Sequence, residues 1–192
     1  KAEAPETAQD KKTEPKKRPG RTYPEQNYRI LKRLFPDFVN GTYTSLRLQA
    51  GTAMMPLCVE RIGENEISIA HYFRQGGDSI ADPEMTFRID HEKQTLEPLT
   101  FEQPGLYQRV YPEPGKWIPR LRTDLNRFTN QWFHNIEQQE YLPERAVMEA
   151  DGTRTEVVFV DGKAVIPENE ATEENIPPEE NGLPETTGAG ES

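Results

Sequence analysis

The stretch that decides the fold is Ile67–Ile89, ISIAHYFRQGGDSIADPEMTFRI, near the middle of the chain. Apolar side chains alternate with polar or small ones on both sides of a Gly-Gly pair. The positions on one face are Ile67, Ile69, His71 and Phe73 in the first half and Met85, Phe87 and Ile89 in the second. A period of two predicts two β-strands. Between them, the Gly-rich segment Gln75–Asp82 predicts a loop that reverses the chain.

The same alternation continues outward from this stretch. It recurs around Leu46 and Leu48, around Leu57 and Val59, and around Leu99. The short polar segments 63–65 and 91–94 are typical of loops that join antiparallel neighbours. The sequence therefore predicts an antiparallel β-meander of about five strands.

Helical periodicity flanks the strands. Residues 24–35 place their apolar side chains on one face, and Pro24 suits a first helical turn. Residues 120–138 repeat apolar side chains at helical spacing, at Leu121, Leu125, Phe128, Trp132 and Ile136. We predict an α+β fold in which an N-terminal and a C-terminal helix pack on the meander.

Four segments follow from composition. Residues 23–142 are predicted to form the α+β domain. Residues 143–166 form an extension with a possible β-hairpin, turning at Asp161-Gly162. Residues 1–22 carry no apolar side chain larger than Ala, and residues 167–192 contain eight Glu and no Lys or Arg. Such compositions predict a disordered basic tail and a disordered acidic tail.

The net charge of −10 is unevenly distributed. Residues 1–23 carry about +3, residues 24–136 carry −1, and residues 137–192 carry −12. The central part is thus nearly neutral, which argues against strong electrostatic binding of nucleic acid by the folded body.

Several function classes lack their motifs. The chain has one cysteine, Cys58, so an internal disulfide is impossible and a reducing compartment is expected. There is no apolar run long enough for a membrane helix and no apolar segment typical of a signal peptide, which favours a cytoplasmic protein. No P-loop, Rossmann fingerprint, HExxH or GxSxG motif is present, so we expect no cofactor, no metal and no catalytic residues.

Polar side chains are densest around the central reversal. The candidate binding residues are His71, Tyr72, Asp78, Asp82 and Glu84. Strand ends joined by a Gly-Gly loop could bring them together as a contact surface. His71 with Asp78 could instead serve a small metal-dependent hydrolase. The structural alternative is that the acidic residues form the turn and that His71 is a hydrogen-bonded strand residue.

A second candidate site combines cations with aromatic residues. The cations are Arg109, Lys116, Arg120 and Arg127, near Tyr107, Tyr111 and Trp117. Cations beside exposed aromatic rings can bind a nucleic-acid strand through phosphate contacts and base stacking. A solvated helix face is the structural alternative.

The chain also resembles a known domain. The stretch ISIAHYFRQGGDSIADPEMTFRID, preceded by MMPLCVERIG and followed by LNRFTNQWFHNI, is similar over residues 27–141 to an uncharacterised bacterial domain found in plasmid, conjugative-element and phage proteins. The resemblance implies signature positions at His71, Tyr72, Asp78, Asp82, Pro83 and Glu84. It implies no reaction.

The hypothesis from these features is a non-enzymatic accessory or interaction module of a mobile genetic element that binds a protein partner. Three alternatives remain open: a nucleic-acid-binding module, the small metal-dependent hydrolase, and an anti-defence inhibitor whose acidic tail mimics DNA.

Overall fold

The computed structural model describes residues 21–167. The predicted tails, residues 1–22 and 167–192, lie outside the described residues except at their inner ends, and so does the acidic segment on which a DNA-mimic function would depend.

Three helices occur in this range: α1 (Tyr23–Leu34), the four-residue α2 (Pro36–Val39) and α3 (Pro119–Gln138). Helix α1 begins at the position that its sequence predicts. There the backbone N–H of Thr22 donates to the carboxylate of Glu25 at 2.7 Å, which satisfies a donor of the first turn. The two long helices confirm the helical periodicities read from the sequence.

Nine strands form one antiparallel sheet. They are β1 (Ser45–Gln49), β2 (Leu57–Arg61), β3 (Glu66–Gln75), β4 (Asp78–Asp90), β5 (Thr95–Gln103), β6 (Leu106–Arg109), β7 (Leu142–Ala150), β8 (Thr153–Val160) and β9 (Lys163–Val165). Their order across the sheet is β6-β5-β4-β3-β2-β1-β7-β8-β9. Strands β1 to β6 form the meander, and the chain then returns through α3 to place β7 beside β1.

The predicted fold, a five-strand meander packed by two helices, is therefore wrong. The sheet has nine strands and the described chain has three helices. The missed strands β6 and β7 lack a clear alternation: β6 is short and largely exposed, and only Ala146 of β7 is fully buried. The strands β8 and β9 form the hairpin around Asp161-Gly162, and β7 joins it to the rest of the sheet.

The central reversal is also tighter than predicted. Gly76 and Gly77, with φ of 62° and 95°, make a two-residue turn in which both residues have the left-handed conformation that glycine tolerates best. Residues 78–82 belong to β4 and not to a loop. Beyond the neighbouring strands β2 and β5, residues 72–81 thus project as a two-stranded ribbon, which we call the β3–β4 ribbon.

The core lies between the helices and one face of the sheet. Its completely buried side chains include Leu31, Phe87, Phe133 and Ile136. A polar network links the two long helices inside this layer. The side-chain amide of Asn27, which is 0% exposed, donates to the carbonyl oxygen of Asn126 at 3.0 Å, and Asn130 donates to Asn27 at 3.0 Å. Such a network sets the register of α1 against α3, because a slipped pairing would leave buried amides without partners.

Candidate functional site

His71 lies where β3 leaves its neighbour β2, on the helix-covered face of the sheet. Its side chain is 7% exposed and stands between the rings of Trp132, at 5.6 Å between centroids, and Tyr141, at 5.7 Å. The β3–β4 register shifts here, so that Asp82 and Pro83 together face His71 across a bulge. Within residues 21–167, Nδ1 of His71 and Nε1 of Trp132 have no hydrogen-bond partner. His71 is a buried packing residue.

Burial lowers the pKa of His71 below its usual value. The carbonyl groups of Pro56 and Met55 and the carboxylate of Asp82 act in the opposite direction but do not outweigh the burial. The folded protein therefore holds this imidazole neutral at pH 7, and the unfolded chain binds its proton at a higher pH than the folded chain does.

We expect the substitution His71→Leu to weaken the loss of stability that acid causes. Because the unfolded state binds more protons between the two pKa values, the free energy of unfolding rises with pH in that window. The free energy of unfolding starts to fall as the pH drops below about 6.5, the usual pKa of histidine in an unfolded chain. Below the lowered pKa of the folded state, the contribution of His71 no longer changes with pH. Urea unfolding at pH 7 and pH 5 measures the change.

The control for this comparison is Gln131→Leu, which introduces the same side chain at an exposed position on α3 and removes no titratable group. It should keep the pH dependence of the wild type. If the free energy of unfolding fell equally between pH 7 and pH 5 in the wild type and in His71→Leu, protonation of the buried imidazole would not be coupled to folding.

Tyr72 and Glu84 lie on the opposite, helix-free face of the sheet. The hydroxyl of Ser68 donates to Oε1 of Glu84 at 2.6 Å. Burial raises the pKa of Tyr72 to about 12, and the carboxylates of Glu84 and Glu60 add to the rise. The Tyr72 hydroxyl is therefore protonated at neutral pH and can donate a hydrogen bond.

The five candidate binding residues do not form one continuous surface. Asp82 lies beside His71 at the bulge, Tyr72 and Glu84 share the other face, and Asp78 is exposed at the tip of the β3–β4 ribbon. Asp78 pairs with Gln75, four residues beyond His71, which is roughly 13 Å along a strand. The structure thus does not bring His71 and Asp78 together as the hydrolase alternative requires. No group of three or more His, Cys, Asp or Glu side chains in the described part of the chain could hold a metal ion.

The basic candidates lie on both sides of the sheet. Arg109 is the cross-strand partner of Thr100, and both lie on the helix-free face of the sheet. Arg120 and Arg127 belong to α3, on the other side. Two of the four cations have acidic neighbours: Lys116 pairs with Glu113, and Nε of Arg120 lies 3.8 Å from a carboxylate oxygen of Asp124. The four residues do not form the continuous strip that the sequence suggested.

Sequence reasoning missed a cleft beside the β3–β4 ribbon. The loop 50–56 stands next to the ribbon, and between them lies a cleft of about 410 Å³, which we call the ribbon cleft. Its main lining residues are Arg47, Met54, Met55, Tyr72, Phe73 and Arg74. The only signal in the sequence was a pair of consecutive methionines in a loop.

Hydrogen bonds hold this loop in place. The hydroxyl of Tyr141 donates to the carbonyl oxygen of Met55 at 2.8 Å. The side-chain amide of Gln49 donates to the carbonyl oxygens of Gly51 at 2.7 Å and Met54 at 2.8 Å. The two methionine side chains nevertheless remain 37% and 38% exposed. The cleft is therefore bounded by a loop with a defined conformation and by the β3–β4 ribbon.

Comparisons with known proteins add a family but no activity. The family described as "Domain of unknown function (DUF6908)" matches residues 26–142, close to the range 27–141 of the resemblance. No curated protein and no solved structure matches the chain. No helix of residues 21–167 is long and apolar enough to cross a membrane. The family match runs from α1 to the first residue of β7 and covers more than half of the sequence, and the chain therefore belongs to the DUF6908 family.

Proposed function

We propose that this chain is a non-enzymatic interaction module that binds a protein partner in the ribbon cleft. In this proposal it is a cytoplasmic accessory protein of a mobile genetic element. The resemblance to a domain found in plasmid, conjugative-element and phage proteins supports the mobile-element context, and the single cysteine, Cys58, supports a reducing compartment.

The observation that carries the proposal is the exposure of Met54 and Met55 beside Tyr72 and Phe73. Methionine and aromatic side chains are enriched in the buried cores of protein interfaces. Methionine adapts its shape to a partner, because its side chain is unbranched and its sulfur is polarisable. Two adjacent exposed methionines on a loop held by hydrogen bonds form an apolar surface, and its burial by a partner would be energetically favourable.

A second groove, of about 480 Å³, lies at the opposite end of the sheet. Its lining mixes charges of both signs, including Glu60, Arg61, Glu149 and Arg154. Arg61 is already engaged, since it donates to the carbonyl oxygen of Phe38 at 3.0 Å. Among the residues that line this groove, Val147 alone has an apolar side chain, whereas Met54, Met55 and Phe73 line the ribbon cleft. This difference in side-chain type favours the ribbon cleft.

The test is capture by a photo-cross-linking residue placed at Ser79, which also lines the ribbon cleft. We expect the full chain to form a discrete cross-linked product with one protein in a bacterial lysate. The double substitution Met54→Glu and Met55→Glu should lower its yield roughly tenfold or more, because it places charge at the centre of the interface.

The matched control is Ile62→Glu, at a 52% exposed position in the loop between β2 and β3. It introduces one negative charge away from the ribbon cleft, compared with two in the methionine variant, and should leave the yield unchanged. Circular dichroism of all variants checks that they fold. Unchanged capture by the methionine variant, or equal loss in Ile62→Glu, would refute the proposal.

A further inference from the structure

The β3 edge of the β3–β4 ribbon is open towards the ribbon cleft. Strand β2 begins at Leu57, opposite His71, and the chain before it turns away through Pro56. Within the described part of the protein, residues 72–75 of β3 therefore have no strand neighbour on the side away from β4. The ribbon cleft occupies the position into which a longer β2 would have continued.

The backbone groups that face this opening can be identified. In an antiparallel ladder, successive residues direct their N–H and C=O groups alternately to the two sides. The N–H of Tyr72 donates to the carbonyl oxygen of Pro56 at 3.2 Å, so Tyr72 faces the open side. Gln75 pairs with Asp78 across the two-residue turn and bonds towards β4. The N–H and C=O of Arg74 therefore face the open side, as those of Tyr72 do.

Both charged side chains that line the ribbon cleft are cations. The lining of the ribbon cleft contains Arg47 and Arg74 and no acidic side chain. Nε of Arg47 already donates to Glu144 at 3.0 Å. Arg74 makes no ion pair with any described residue. A carboxylate beside Arg74 would therefore meet an unengaged guanidinium.

We propose that the occupant of the ribbon cleft is an extended acidic segment of the partner protein, which adds to β3 as a further strand along residues 72–75. Its backbone bonds to the N–H and C=O of Arg74 and to the C=O of Tyr72, because the N–H of Tyr72 already bonds to Pro56. A carboxylate lies beside the Arg74 guanidinium, and an apolar side chain within two positions contacts Met54 or Met55. Strand addition derives affinity from the backbone and specificity from alternate side chains, and opposite charges across a strand pair favour it. This inference rests on the proposed function, because it assumes that the ribbon cleft is the partner site.

The experiment is a selection of phage-displayed random twelve-residue peptides on the full chain. On the wild type we expect enrichment of Asp or Glu next to aliphatic residues. Arg74→Glu should enrich Lys or Arg instead, and Ile62→Glu should select the same acidic peptides as the wild type. The best acidic peptide should bind Arg74→Glu roughly tenfold or more weakly than the wild type, the scale expected for reversing a charge pair.

Backbone methylation tests the mode of binding. The best peptide is made in two forms, each with every second backbone amide N-methylated, in opposite phases. If it adds as a strand, the phase whose amides face β3 loses binding and the other phase keeps it.

The outcomes separate this inference from the function on which it rests. Selected peptides without acidic enrichment, an Arg74→Glu variant that binds equally well, or two methylated forms of equal affinity would each overturn strand addition by an acidic segment. A selection that enriches no peptide also overturns it. Cross-linking at Ser79 judges partner binding independently, because it detects a folded partner as well as a peptide.

Discussion

A chain that ends after Leu142 loses roughly 3–6 kcal/mol of its free energy of unfolding, compared with a chain that ends after Pro167. The shorter chain keeps the whole range of the family match, residues 26–142, yet it lacks β8, β9 and all of β7 except its first residue. Urea unfolding followed by circular dichroism measures the difference.

The loss has two physical sources. Ala146 and Val157, each 2% exposed, belong to the main hydrophobic core, and the ring of Phe159 packs edge-on against Tyr43 at 6.0 Å between centroids. Burying a side chain such as Val contributes about 1.5–3 kcal/mol. Removing β7 also exposes the backbone edge of β1, which then becomes a site for association between chains.

The chain ending after Pro167 is the control, since it retains all nine strands of the described sheet. Equal unfolding midpoints for the two chains would mean that β7 to β9 contribute nothing to the stability of the body. Light scattering distinguishes a destabilised monomer from one that associates through β1.

The substitution Phe133→Ala lowers the free energy of unfolding by about 3–5 kcal/mol, the range for removing a buried aromatic ring. Phe133 is 0% exposed on α3. Its ring lies 6.0 Å from that of Phe87 on β4 and 6.1 Å from that of Trp132, measured between centroids. The cavity would therefore open at the junction of helix and sheet, where packed neighbours cannot move in without losing contacts of their own.

Phe128 provides the matched comparison, because it is the same residue type on the same helix but is 40% exposed. We expect Phe128→Ala to cost less than half as much as Phe133→Ala in thermal or urea unfolding. Comparable losses at the two positions would contradict the placement of the core under Phe133.

The sequence predicted those elements whose evidence lies within a few neighbouring residues. The alternation across Ile67–Ile89 gave β3 and β4, because side chains of a half-buried strand must alternate between core and exterior. The apolar stripe containing Leu125, Trp132 and Ile136 gave α3 for the corresponding reason at helical spacing. In the candidate site, the same local reading placed His71 and Tyr72 correctly on opposite faces of one strand.

Pairing between distant segments required the tertiary structure. Strand β7 carries Pro143 and several charged residues, and its place in the sheet depends on the free edge of β1, about a hundred residues earlier in the chain. The ribbon cleft likewise exists only because β3 extends four residues, from Tyr72 to Gln75, beyond the point at which β2 begins. No local sequence pattern specifies this register.

The sequence by itself thus determined where the two long helices and most strands of the meander form, and which residues of the two main strands face the core. Only the tertiary structure decided the nine-strand order, the burial of His71 between Trp132 and Tyr141, and the open edge beside Arg74. The physical reason is that periodicity reflects the environment of each residue, whereas strand order and open edges depend on which distant segments meet when loops close.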